Sequence, residues 1–230
     1  MLDSIIDYCK NNVLDIIGVL FALSFVFRKV REIFGDLLAQ IFSVRLHTKR
    51  YYDTAFMTKR IKSSKKIIRV VCVRNERVTH SDVVETIRVF IENNDNCSIE
   101  IYAVSPDLDD CVLEQIMKTL PSPPMNVADM KQQIETNKNK LKSMVANLST
   151  QNKQKISYYE YKALPLIHFC QFDKRLYMGY QMFQRTEQEN ESFLKYAIIM
   201  RNNTKIGRLL LKQVDDLKNN TALTAKISLE

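Results

Sequence analysis

The 230-residue chain has no tryptophan, only four glycines and five prolines. With glycine so scarce, neither a GxGxxG nor a GxxxxGK[ST] sequence occurs, which weighs against folds built on glycine-rich phosphate loops. The five cysteines, Cys9, Cys72, Cys97, Cys111 and Cys170, are odd in number and include no CxxC pair. That count argues against a disulfide framework or a cysteine-based metal site. Several of them fall within apolar runs, where a reduced thiol acts as a small hydrophobe, so a reducing, cytosolic setting is expected for the main domain. His47, His80 and His168 are far apart and form no HExxH pair. No metal and no cofactor is expected.

What is present is a basic excess of +8. An ordinary basic surface and an anionic partner both account for it. The pattern around residues 67–107 says more. IIRVVCV (67–73) is a short β-branched run, as a strand covered on both faces requires. SDVVETIRVFIENN (81–94) sets Val83, Val84, Ile87, Phe90 and Ile91 at helical spacing, with Ser81 as the expected N-cap. CSIEIYAVSPD (97–107) reads as a second strand that stops at Pro106. This is a βαβ unit, so a parallel sheet is expected. Ligands of such sheets collect at the carboxyl ends of the strands. Arg74, Asn75, Arg77 and His80 follow the first strand, and Ser105 and Asp107 follow the second.

Upstream, VLDIIGVLFALSFVF (13–27) is the most apolar window, with 12 uncharged residues from 16 to 27. A comfortable span needs about 20, a number reached only by counting outward past Asp15. A cleaved signal peptide is disfavoured, because Asp3 and Asp7 replace a basic leader and Arg28, Lys29 and Arg31 follow the run. A buried soluble helix remains open; a single membrane span is preferred. Basic residues stay inside, so the N-terminus is expected outside the cell membrane and the C-terminal domain in the cytoplasm. Asp15 and Ser24 are the polar candidates within the span, for a headgroup position or a polar lining in an oligomer. The expected organisation is residues 1–30 as tail and membrane helix, 31–66 as juxtamembrane helix and basic linker, and 67–230 as the cytosolic domain. The linker carries Lys49, Arg50, Lys59, Arg60, Lys62, Lys65 and Lys66, which suits either anionic lipid or a solvated connection.

Further along, 109–120 and 127–148 read as helices, the second with a narrow apolar seam that suits packing on one side only. Residues 155–183 read as three strands with bends at Pro165 and at Asp173, Lys174 and Arg175; 196–200 reads as a strand, 204–217 as a helix, and the remainder as a polar end.

SPD (105–107) and LPLIHFCQFDKRLYMGY (164–180), in this order after the βαβ start, resemble one half of a phospholipase D-like domain. There the second strand ends in a phrase such as "DP" or "NP", a helical insertion follows, and a strand pair carries H-x-K-x4-D and a glycine. The resemblance implies a mixed α/β sheet with flanking helices and a phosphodiester groove shared between two halves, hence a homodimer or higher homo-oligomer. It also marks what is missing. With Asp173 at the motif's aspartate, Leu166 stands at the nucleophile and His168 at the lysine; a one-residue shift puts Pro165 and Ile167 there. Neither leucine nor proline attacks phosphorus, so no catalytic residue is assigned.

The expectation is therefore a single-pass membrane protein whose degenerate phospholipase D-like domain senses a nucleotide or nucleic acid through Arg74, Asn75, Arg77, His80, Ser105, Asp107, His168 and Asp173, and signals to the membrane helix. Proteins of this plan resemble bacterial stress or antiviral effectors. Three alternatives stand beside it. One is a phosphodiesterase, nuclease or phospholipase using His80, His168 and Asp173; another is a structural anchor; the third is a Rossmann-like sensor of cyclic oligonucleotides. An antiparallel hairpin after Pro165 separates the phospholipase D-like layout from the Rossmann-like one.

Overall fold

The computed structural model describes residues 45–47, 53–119, 125–163, 167–180 and 197–229, all within the compact unit Arg45–Glu230. The apolar run with Asp15 and Ser24 lies outside them, as does the bend expected at Pro165. No helix among the described residues is long and apolar enough to cross a membrane.

The chain forms an α/β fold around an eight-stranded mixed sheet. In chain order the elements are β1 (Arg45–His47), α1 (Thr54–Ser63), β2 (Ile67–Val71), α2 (Ser81–Asn93), β3 (Ser98–Val104), α3 (Asp110–Thr119), α4 (Val127–Ala146), α5 (Thr150–Lys153), β4 (Ile156–Tyr161), β5 (Ile167–Phe172), β6 (Arg175–Tyr180), β7 (Ala197–Arg201), α6 (Lys205–Asn219) and β8 (Thr224–Ile227). The strand order across the sheet is β1-β7-β6-β5-β2-β3-β4-β8. β2, β3 and β4 run parallel, in register Val70↔Ile101 and Ile101↔Tyr158. The helical crossovers that join them satisfy what parallel neighbours demand. β5 and β6 form an antiparallel hairpin, His168↔Gly179, and β5 closes antiparallel on β2, Val70↔Cys170. The hairpin rules out continued βα alternation at this point.

The sheet has a core on each face. One combines Ile68, Val70 and Ile101 with Met57 and Ile61 of α1, Ile87 and Ile91 of α2, and Leu141 and Val145 of α4. The other combines Val71, Tyr102 and Phe169 with Leu113 and Ile116 of α3, Met130 and Ile134 of α4, and Leu210 and Val214 of α6. α4 thus serves both layers, packing its first half on one and its second half on the other, where a helix covered on one side only was expected. α1 was expected as part of a basic linker. Met57 and Ile61, four residues apart, are fully buried, and each contributes on the order of 2 kcal/mol. Ser81 is the first residue of α2 rather than its cap; His80 takes the cap position without a side-chain bond.

Partly buried charges fasten α6 to the central strands. Arg69 of β2 and Glu100 of β3 are in register, with Nε and Oε2 at 2.6 Å. Lys218 of α6 reaches Glu100 at 2.6 Å, Asp215 reaches Arg69 at 3.1 Å, and the Tyr102 hydroxyl donates to Glu100 at 3.1 Å. At the start of α6, a Cβ on Gly207 would lie 2.2 Å from the Arg201 carbonyl, so the helix enters at a distance only glycine permits. Burial pushes the Glu100 pKa up, but the Lys218 hydrogen bond and the Arg69 charge outweigh it and hold the carboxyl below its ordinary value. A depressed carboxylate stabilises the fold above the unfolded pKa and loses that contribution as pH falls through the folded value. Glu100→Gln is expected to lower stability by about 2 kcal/mol at neutral pH, with the gap to the wild type narrowing on acidification; matching urea midpoints at pH 7 would contradict the role given to this cluster.

Candidate anion site at the carboxyl edge

After Val71 the chain keeps pairing with β3 through Cys72, whose N–H donates to the Tyr102 carbonyl at 3.1 Å. It then turns at Asn75, which has φ 56, a left-handed conformation that asparagine tolerates better than most residues. Asn75 is buried, and its amide lies beside the Cys72 thiol. A turn from Glu76 to Thr79 leads into α2, closed by the Thr79 N–H donating to the Asn75 carbonyl at 3.0 Å.

α4 crosses this edge of the sheet and is tied to it by a buried asparagine. The Asn137 Nδ2 donates to the Arg74 carbonyl at 2.7 Å, and its Oδ1 accepts from the Thr79 hydroxyl at 2.9 Å. One turn earlier, Gln133 Oε1 accepts from Arg74 Nη1 at 2.8 Å, while Arg74 Nη2 pairs with Glu76 at 3.1 Å. One residue later, Lys138 reaches the buried Glu160 at the end of β4 at 3.0 Å and Glu135 at 2.6 Å. Burial pushes the Glu160 pKa up; Lys138 opposes this, and the nearby Glu135 and Asp107 carboxylates add to it. A cleft of about 500 Å³ opens along α4, bounded by Glu76, Gln133, Asn137 and Lys140.

His168 lies at the start of β5, opposite Gly179, and is buried. Burial, then the charges of Arg74 and Arg77, bring its pKa down to about 4. The imidazole is therefore neutral near pH 7, and both guanidinium groups lie within electrostatic reach of it. Three residues expected in the site thus lie within electrostatic reach of one another's charge, from two stretches of sequence about ninety residues apart. Asn75 shapes the turn beside them. Ser105 and Asp107 occupy the end of β3, where Ser105 Oγ accepts from the Asp107 N–H at 3.2 Å. His80 is half-exposed, 3.9 Å from Asp82 on the surface of α2.

Asp173 lies elsewhere. It follows β5, five positions beyond His168, about 16 Å away along an extended strand. Its carboxylate accepts from the backbone N–H groups of Lys65, Lys66 and Ile67 at 2.9, 2.9 and 3.0 Å, fixing the start of β2. His168 and Asp173 do not meet within the chain, so a catalytic set of His80, His168 and Asp173 has no shared reaction centre there. What the edge offers is two cations within electrostatic reach of a neutral imidazole, Arg74 being already engaged by Glu76 and Gln133, an arrangement suited to an oxyanion. Asn137, Gln133, Lys138 and Glu160 were not anticipated. The sequence does hold one signal: Asn137 stands three residues after Ile134 and four before Leu141, a polar residue within an apolar stripe.

No protein-family model matches the sequence, and no curated protein matches it. Among solved structures, phosphatidylserine synthase of Haemophilus influenzae Rd KW20 superposes with a TM-score of 0.45 and 11% identity, over 75% of this chain and 36% of that one. This chain thus spans about a third of that protein's length. TrmBL2, an archaeal chromatin protein with a novel mode of DNA binding, superposes with a TM-score of 0.40 and 9% identity, over 98% of this chain and 69% of that one. At these values neither likeness identifies a family, and the site is read from its own residues.

Replacing Asn137 by alanine takes from the Arg74 carbonyl its Asn137 partner and leaves the Thr79 hydroxyl only the Asn75 and Glu76 carbonyls to donate to, at about 1–3 kcal/mol. The amides of residues 75–80 are expected to exchange with solvent markedly faster in Asn137→Ala, while those of α6 change only by the global loss. Unchanged exchange in that loop would show that α4 does not hold it.

Proposed function

We propose that this chain is a binding protein that recognises a phosphate-bearing ligand, a nucleotide or nucleic acid, at the carboxyl edge of its sheet. The observation that carries this reading is that Arg74 and Arg77 follow one strand end within electrostatic reach of the buried His168, whose imidazole is held neutral by burial and by the two cations. A phosphate brought to this edge would meet positive charge that the protein only partly compensates, since Arg74 is paired with Glu76. Phosphate's negative charge would also oppose the depression of the His168 pKa, so binding and protonation of His168 would reinforce each other.

On this reading the domain is a phospholipase D-like half that keeps the outline of a phosphodiester groove without its nucleophile. The antiparallel β5–β6 hairpin beside the parallel β2, β3 and β4 supports that layout. A second copy would complete the groove as a homodimer. The apolar run at residues 13–27 would anchor the protein in the cell membrane, with the α/β domain on the cytoplasmic side, and α4 would connect the site to the rest of the domain because it packs on both cores.

Titration of the purified full chain in detergent with a panel of nucleotides and oligonucleotides tests the reading. Saturable binding is expected for at least one member, weakened about tenfold, or ~1.4 kcal/mol, by Arg77→Gln. Silence across the panel, or affinity indifferent to both Arg74→Gln and Arg77→Gln, would overturn it.

A further inference from the structure

The opposite end of the sheet carries a second concentration of positive charge. Between the C-terminus of α1, the segment that leads into β2, and the β5–β6 turn lies a cleft of about 730 Å³, bordered by Arg60, Lys65, Lys66, Lys174 and Arg175. Its volume falls within the range of small-molecule sites. None of these five cations forms an ion pair among the described residues. The cleft's single carboxylate, Asp173, is already engaged by three backbone N–H groups. β6 and β7 place Arg175 directly across from Arg201.

Arg60 is the built part of the site. Its guanidinium lies over the rings of Phe56 and Tyr177, 5.4 and 5.3 Å from their centroids, and these rings meet edge to face at 5.1 Å. The stacking restricts the orientation of the planar group, while its buried Nε has no hydrogen-bond partner. A guanidinium oriented by stacking at the border of the cleft, among lysines and a second arginine, suits a multiply charged oxyanion.

We propose that this cleft is a binding site for a phosphate monoester or diphosphate group, separate from the carboxyl edge. Arg60 supplies the fixed donor, Lys65, Lys66, Lys174 and Arg175 supply the neutralising charge, and Asp173 shapes the floor by holding the backbone of residues 65–67. The same chemistry is presented by a lipid headgroup and by a free phosphate compound. The site does not depend on the carboxyl-edge reading, and either can fail alone.

The test follows the phosphorus NMR signal of pyrophosphate added to the full chain in dodecyl maltoside. Saturable binding is expected, with the dissociation constant raised about tenfold or more by the double change Lys174→Gln with Arg175→Gln and by Arg60→Gln, and unchanged by Arg77→Gln. The double variant alters exposed side chains only, so it reads the site even if Arg60→Gln disturbs packing. In a second arm, micelles are doped with phosphatidate. Displacement of pyrophosphate by doped but not by plain micelles assigns the site to a lipid headgroup; pyrophosphate binding that phosphatidate does not disturb assigns it to a free phosphate compound. An absence of response to both probes, affinity unaltered in the double variant, or binding lost only in Arg77→Gln would overturn the proposal.

Discussion

The arrangement depends on one buried amide. Asn137 uses both ends of its side chain, donating to the Arg74 carbonyl and accepting from the Thr79 hydroxyl. These bonds hold α4 across the carboxyl ends of the strands. Without them the helix would be tied to this edge only through the side chains of Gln133 and Lys138, and the Arg74 carbonyl would lose its Asn137 partner. Because α4 packs Met130 and Ile134 on one face of the sheet and Leu141 and Val145 on the other, this clamp also links the two cores. A change at the edge therefore reaches both layers through a single rigid element.

The two ends of the sheet treat charge in opposite ways, and β5 makes the comparison direct. At one end His168 is kept uncharged by burial and by Arg74 and Arg77. At the other, Asp173 is a carboxylate held by three backbone N–H groups. Each end keeps cations near a group that does not neutralise them. The middle of the sheet behaves differently: Arg69, Glu100 and Lys218 satisfy one another and serve to dock α6. These mutually matched charges help secure the fold.

Much of this was legible from hydrophobic spacing. β2, α2 and β3 follow from β-branched runs and a 3.6-residue period, and the hairpin from the polar turn at Asp173 and Lys174. Elements with few apolar residues were harder to read. α1 offers Met57 and Ile61 among lysines and arginines, and β8, with Thr224 as its one buried residue, looks like a polar tail. The site was legible where it follows strand ends, at Arg74 and Arg77. Asp173 was drawn into it by a motif, although five residues of extended chain already separate it from His168 by most of the sheet's height. Asn137 escapes a reading that traces the seam through apolar residues alone, whereas a tertiary contact with Arg74 and Thr79 gives this polar residue its place in it.

The influence of two guanidinium groups on a buried imidazole is the claim on which the carboxyl-edge site stands, and the titration of His168 measures it. Followed by NMR in the full chain with labelled histidine, the His168 ring is expected to stay neutral down to a pKa of about 4, and to titrate at higher pH once Arg77 is replaced by glutamine. A His168 that titrates near the ordinary 6.5, and does so identically in both proteins, would contradict the account.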